Sequence, residues 1–289
     1  MMDKCEICPR KCKAERNNGK AGFCKASDKI RIASINVHTG EEPPISGIKG
    51  SGTIFFSNCV LSCVFCQNYP ISQLGNGKEI SLSGLVDIIL SLQKRGSHNI
   101  NFVTPTHFSA HIAKAAYEAK TKGLKIPIVY NCGGYENYQT LRLLEGIVDI
   151  YLPDIKYSDN ETAFKYCGVK NYVEVSKLAL QEMYRQVGDL VIDDDGIAKK
   201  GLLIRHLVLP QNLQNTKKAL EFIAKELSDR TFISLMSQYY PAYKAYNFKE
   251  LSNPLTKEEY DLAVNELKKL NLENGWIQDL HRELPVAKT

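Results

Sequence analysis

Short β-rich runs recur along this chain with helical stretches between them, and that alternation restricts the fold more than any other feature. The runs lie at residues 52–56, 100–103, 126–130, 148–152, 172–175 and 202–208, with a further one at 232–235. Strands separated by helices have to pair in parallel through right-handed crossovers. The stretch after residue 80 shows the helical logic: Ser81 or Ser83 can cap it, Leu85, Ile88, Ile89 and Leu92 fall on one face, and Gly96 ends it. Similar patterns cover 110–121, 137–144, 178–187 and 216–227. The expected fold class is α/β, a partial TIM-type (β/α)6 barrel with a small cysteine-rich N-terminal module. At 289 residues and 44% hydrophobic content, the chain can bury the core of one such barrel. The expected organisation is a metal-binding module at 1–48, the barrel at 49–240 and a helical extension at 241–289.

A parallel barrel carries its chemistry at the C-terminal ends of its strands. Unusual polar residues track those ends: Thr104-Pro105-Thr106-His107, Asn131-Cys132-Gly133-Gly134, Pro153-Asp154-Ile155-Lys156, Ser176-Lys177, and Gln238-Tyr239-Tyr240. Asp154 and Lys156 alternate by two, so in extended chain they share a side, either as a plain ion pair or as a ligand pair. Arg205 lies in an otherwise apolar strand, where a charge needs an anionic partner. That partner is a bound ligand, or Asp154 or Glu174. His206 reads as a proton carrier near substrate or, more simply, as a hydrogen-bonded core residue. Gly133-Gly134 allows close approach of a ligand or only a tight turn.

Cys59-Val60-Leu61-Ser62-Cys63-Val64-Phe65-Cys66 places three soft thiolates at C-x3-C-x2-C spacing with no nearby fourth ligand. Such a trio can hold three corners of a cubane iron–sulfur cluster and leave one iron open. Zinc usually takes C-x2-C pairs and closes at four ligands, so it fits poorly. The alternatives are buried structural thiols, or half of a zinc site completed by Cys132 or His38. Phe65 is placed to cover a flat ligand or to fill the core. A second block, Cys5, Cys8 and Cys12 followed by Cys24, offers four thiolates for zinc or a closed cluster. Seven of nine cysteines gathered in two blocks favour metal binding in a reducing compartment over disulfides. Cys132 and Cys167 stand apart and read as buried, inert thiols.

The net charge of +5 accompanies 32 acidic residues, so nucleic-acid binding is not indicated. No apolar run approaches the length of a membrane span, and the first residues are unlike a secretory signal. A cytoplasmic location is expected.

The cysteine motif with Phe65 before its third cysteine resembles the radical S-adenosylmethionine (SAM) superfamily. Within it the chain is similar to the pyruvate formate-lyase activating enzymes, in a branch with an additional N-terminal cysteine block; the likeness spans about residues 50–240. The resemblance implies a [4Fe-4S] cluster on Cys59, Cys63 and Cys66, with SAM bound at the open iron and reductively cleaved to a 5′-deoxyadenosyl radical. It implies cofactor contacts from Phe65, Thr104, Thr106, Asn131, Asp154, Lys156 and Arg205, the last toward the cofactor's carboxylate. Thr104-Pro105-Thr106 stands where the family has a glycine-glycine-glutamate turn. The implied substrate is a protein of the glycyl-radical-enzyme type, with another peptide or a small molecule as the alternative. The implied electron donor is a flavodoxin or ferredoxin. A non-catalytic iron–sulfur electron carrier is the reading from another class; the free coordination position argues against it.

Overall fold

The computed structural model describes residues 3–280. Ten strands are present: β1 (Ile30–His38), β2 (Ser51–Phe56), β3 (Lys78–Ile80), β4 (Ile100–Val103), β5 (Ile128–Cys132), β6 (Ile150–Pro153), β7 (Val191–Ile192), β8 (Ala198–Leu207), β9 (Phe232–Met236) and β10 (Gly275–Ile277). They form one sheet ordered β10-β9-β8-β6-β5-β4-β2-β1-β3, with β7 set against β8. From β2 to β10 along this path every neighbouring pair is parallel. β1 and β3 add an antiparallel edge. The sheet therefore curves as a partial barrel with two ends, β3 and β10. Strands β2, β4, β5, β6, β8 and β9 supply the six-strand parallel body, and β10 extends it by one.

One expected strand is absent. Residues 172–175 open the helix Tyr172–Val187. Their β-branched character is overridden by the helical spacing of the buried set Tyr172, Ser176, Ala179, Leu180, Met183 and Val187, which presses one face on the sheet. Ser176 and Lys177 accordingly sit inside a helix and not at a strand end. The body's last parallel strand is β9 instead.

Elsewhere the helical signals act as read. Ser81 caps the helix Leu82–Lys94 by accepting a hydrogen bond from the Gly84 N–H at 3.0 Å. Leu85, Ile89 and Leu92 are buried beneath it, while Ile88 is only partly covered. The core continues through Phe56, Phe102, Phe108, Tyr130 and Tyr151.

The segment before β1 is tied to the barrel by two arginines. Arg10 donates to the carbonyls of Val60 (2.6 Å), Cys167 (3.1 Å) and Gly168 (3.2 Å). Arg16 is fully buried and donates to the carbonyls of Ser27 and His107. After β9 the chain forms the helix Lys257–Lys269 and then β10, which carries Trp276. His281 lies outside the described residues.

Ile89→Ala should lower stability by roughly 2–5 kcal/mol. Ile88→Ala, on the partly exposed side of the same helix, should cost well under half of that. Urea unfolding of the two variants checks this; equal losses would mean the helix faces the sheet differently.

Candidate active site

At the C-terminal ends of the parallel strands one cleft gathers Cys59, Cys63, Phe65 and Cys66 from the loop after β2, Thr104 and Thr106 after β4, and Asn131 on β5. Asp154 and Lys156 after β6 and Arg205 on β8 complete it. The strand register explains the convergence. Val103 pairs with Asn131, Asn131 with Leu152, and Asp154 bridges to Arg205, so these positions stand side by side along one rim.

Charge organises the floor. Asp154 accepts from Arg205 Nε at 2.7 Å through one carboxylate oxygen and from Lys156 Nζ at 2.6 Å through the other. Arg205 Nη2 donates to Asn131 Oδ1 at 2.7 Å, and its Nη1 lies 3.6 Å from Glu41. Burial on its own would push the Asp154 carboxyl up, but the Arg205 and Lys156 charges outweigh it and hold it below the usual aspartate range. The expected Asp154–Lys156 and Asp154–Arg205 pairs both form. The Glu174 alternative does not: Glu174 accepts from Asn160 on the exposed side.

The three cysteines sit above this network. Leu61 N–H donates to Cys59 Sγ at 3.4 Å, Cys66 Sγ and Ser72 Oγ are 3.1 Å apart, and Tyr157 Oη approaches Cys63 Sγ at 3.9 Å. Burial raises Cys59 and Cys66. At Cys63 the neighbouring Cys167 thiol outweighs burial, Lys156 adds to it, and the thiol is lowered to about 7. Cys167 is thus a neighbour of the motif and not an isolated thiol. Cys132 lines the cleft near Glu136, and burial raises its thiol. His38 stands on β1 beside Glu41. Among the described residues no three Cys, His, Asp or Glu side chains form a single-ion site.

Phe65 is buried, edge-on to Tyr157, Tyr166 and Tyr239, with part of its ring on the cleft. Thr104 has φ +58, in the left-handed region that a β-branched residue before proline resists. Strain of this kind costs on the order of 1–3 kcal/mol and collects at functional sites. It falls on the segment that replaces the glycine turn. Gly134 is also constrained, with φ +73 and room for no Cβ, since one would lie 2.2 Å from the Asp154 carbonyl. Its role is close backbone approach.

Two acids escaped sequence reasoning. Glu136 accepts from Thr106 Oγ1 at 2.6 Å and Tyr130 Oη at 3.1 Å inside the cleft; burial raises it to about 7 despite these donors. Its signal was its place two residues beyond Gly134, in a loop read only for its glycines. Glu41, before the Pro43-Pro44 pair, has no strand-end signal; burial raises it to about 7 although Arg205 pulls it down. His206 points away from the cleft and bonds the Ile155 carbonyl at 2.8 Å and Thr216 Oγ1 at 2.9 Å. Burial lowers it to about 4, so it is a core residue.

The N-terminal cysteines form a second group. Cys5, Cys8 and Cys24 are buried and Cys12 is exposed. A Cβ on Gly22 would lie 2.9 Å from Cys12 Sγ and 3.9 Å from Cys24 Sγ. Arg16 Nη1 is 3.9 Å from Cys5 Sγ.

Residues 53–194 match the family model described as the radical SAM superfamily. An uncharacterised protein of Methanocaldococcus jannaschii is 33% identical over 283 residues, covering 94% of this chain and 77% of that protein. The chain belongs to the radical SAM superfamily. Among solved structures, Streptococcus suis SuiB bound to S-adenosylmethionine is similar in fold, with TM-score 0.52 and 11% identity. That match covers 78% of this chain and 49% of SuiB, so the chain spans about half of SuiB's length. A domain of a pyruvate-formate lyase-activating enzyme from Bacteroides vulgatus matches at TM-score 0.44 and 15% identity, covering 60% of this chain and 92% of that domain. No helix among the described residues is long and apolar enough to cross a membrane.

Asp154→Asn should lower stability by roughly 3–5 kcal/mol at neutral pH, because Arg205 and Lys156 keep their charge without a buried partner. A depressed carboxylate pKa contributes stability above the unfolded value of about 3.9 and loses it as pH falls through the folded value. The gap between wild type and Asp154→Asn should therefore be flat from pH 7 to about 5 and close in stronger acid. Urea midpoints across that range measure it; a gap that widened on acidification would contradict the arrangement.

Proposed function

We propose that this chain is a radical SAM enzyme of the activating-enzyme type, holding a [4Fe-4S] cluster on Cys59, Cys63 and Cys66 and abstracting hydrogen from a protein substrate. The observation that carries this reading is the meeting of all three motif cysteines with Phe65, Thr104, Thr106, Asn131, Asp154, Lys156 and Arg205 in one cleft. When bound, the cluster and cofactor supply one-electron cleavage of the sulfonium and a 5′-deoxyadenosyl radical.

The chain's own residues bind, orient and shield. Arg205 and Lys156 are held as cations by Asp154, and both face the cleft, where they suit a cofactor carboxylate. Glu136, carried beside Thr106, supplies an acid near the position where the family's turn has its glutamate, and suits an ammonium group. Phe65, Leu61 and Val103 give the cleft apolar wall that keeps water from the reacting centre. A protein or peptide substrate is favoured by the likeness to activating enzymes. The electron donor in this reading is a flavodoxin or ferredoxin, and the compartment is the cytoplasm.

The N-terminal cysteines are read as a second metal site, zinc or a closed cluster. Arg16 supports thiolate character there: it is fully buried, and among the described residues no carboxylate pairs with it. Its side-chain partners are two carbonyls and the Cys5 sulfur. A buried guanidinium so placed calls for nearby negative charge, which bound thiolates provide.

Anaerobically reconstituted protein with dithionite and SAM should release 5′-deoxyadenosine and methionine, read by liquid chromatography. Cys63→Ala should abolish release. Intact cofactor in the wild type would favour the electron-carrier reading. Iron and sulfide should correspond to one cluster if the N-terminal site holds zinc and to two otherwise. Cys8→Ala should mainly lower the folded yield; normal folding with lost turnover would rule out a structural role for that metal. A glycyl radical signal in a partner protein, by electron paramagnetic resonance, tests the substrate type.

A further inference from the structure

Behind Arg205 lies a second chamber that the cofactor reading does not use. Its wall is formed by Glu41, Glu42, Trp276, Ile277 and Asp279, and it shares Arg205, Met236 and Gln238 with the cysteine cleft. The two spaces are neighbours across those three side chains.

Among the described residues the chamber is lined by three acidic side chains, Glu41, Glu42 and Asp279, and by one cation, Arg205, two of whose three nitrogens are committed elsewhere, Nε to Asp154 and Nη2 to Asn131. Nη1 alone turns toward Glu41, at 3.6 Å. Glu42 is 9% exposed, and its Oε2 is sealed from solvent with no hydrogen-bond partner among the described residues. A buried carboxylate oxygen without a donor is costly, and a native site that keeps one is built to receive a donor. Trp276 adds its indole to the same wall, half-buried and braced by Phe232 at 5.7 Å. Indole is the side chain that best attracts a cation through its ring face. Unpaired carboxylate, a surplus of acidic side chains and an indole wall together select a positively charged guest on an apolar stem.

We propose that this chamber is a substrate subsite that takes a primary alkylammonium group, held by Glu42 and Glu41 against Trp276. As a substrate subsite it rests on the radical reading of the adjoining cleft; the binding itself does not. It supplies what that reading lacks, a means of fixing the substrate beside the reactive centre. A lysine side chain of a peptide and a free diamine share the required chemistry.

The test is calorimetric titration of the full-length reconstituted protein with n-butylammonium, using n-butanol as the uncharged control. Nα-acetyl-lysine amide and cadaverine then separate the peptide source from the small-molecule source by which binds more tightly. Trp276 is the chain's single tryptophan, so its fluorescence reports directly on the chamber. Saturable binding of butylammonium but not butanol, with at least about tenfold weaker binding in Glu42→Gln, is the expected result. Equal binding of butylammonium and butanol, or unchanged affinity in a folded Glu42→Gln, overturns the proposal. Should Glu42→Gln fail to fold, Trp276→Leu decides by calorimetry, since unchanged affinity there overturns it equally. No SAM is needed, so loss of cofactor cleavage with intact amine binding would sink only the radical reading, and the reverse would sink only the subsite.

Discussion

The Asp154 carboxylate, gripped at one oxygen by Arg205 and at the other by Lys156, is the interaction on which the site depends. It fastens β6 to β8 at the bridge between Asp154 and Arg205, and through Asn131 it reaches β5. Three ions at this depth are tolerable only together, because each alone would carry a desolvation cost of several kcal/mol. The rim of the barrel is consequently set by electrostatics as much as by packing. A displacement of any one strand end would leave a buried charge unmatched.

Above that floor, the backbone is under tension at Thr104, in the cleft, and at Asn58, the residue before Cys59. Thr104 and Asn58 both have positive φ, at +58 and +73, and each stands at a loop that begins where a strand ends. Asn58 tolerates this conformation better than Thr104, since its short amide can bond locally. The core beneath holds them: Ile54, Phe56 and Phe102 are at most 1% exposed, and Thr104 N–H stays bonded to the Asn131 carbonyl at 2.9 Å. Strain is kept because the sheet over-determines it.

Much of this was legible in the primary structure, for physical reasons that differ by residue. Parallel strands were readable because helical stretches separate them, and Asp154 and Lys156 because period two places them on one side. The chemistry-bearing cysteines needed no fold at all, since ligand softness and spacing already speak. The error at 172–175 arose where local propensity and helical period disagree, and period won because it decides what is buried. Glu136 and Glu41 were invisible for another reason. Their importance comes from burial, which is a property of the assembled sheet, and neither follows a strand at the position where function is sought.

Two buried cations face the two cysteine sets, and the difference between them bears on how each part of the molecule depends on its thiols. Lys156 has a carboxylate beside it in Asp154, one that it shares with Arg205. Arg16 has only carbonyl oxygens and a sulfur, and a carbonyl dipole does not cancel a charge. The barrel's cation thus meets a carboxylate at the floor of its cleft, while among the described residues the one in the N-terminal segment meets none. The segment also has little core of its own and leans on the barrel through Arg10, whose three carbonyl acceptors include Val60, the residue after Cys59. Arg10 therefore ties the segment that carries the second thiol set to the loop that carries the first, through main-chain acceptors and without any shared ligand.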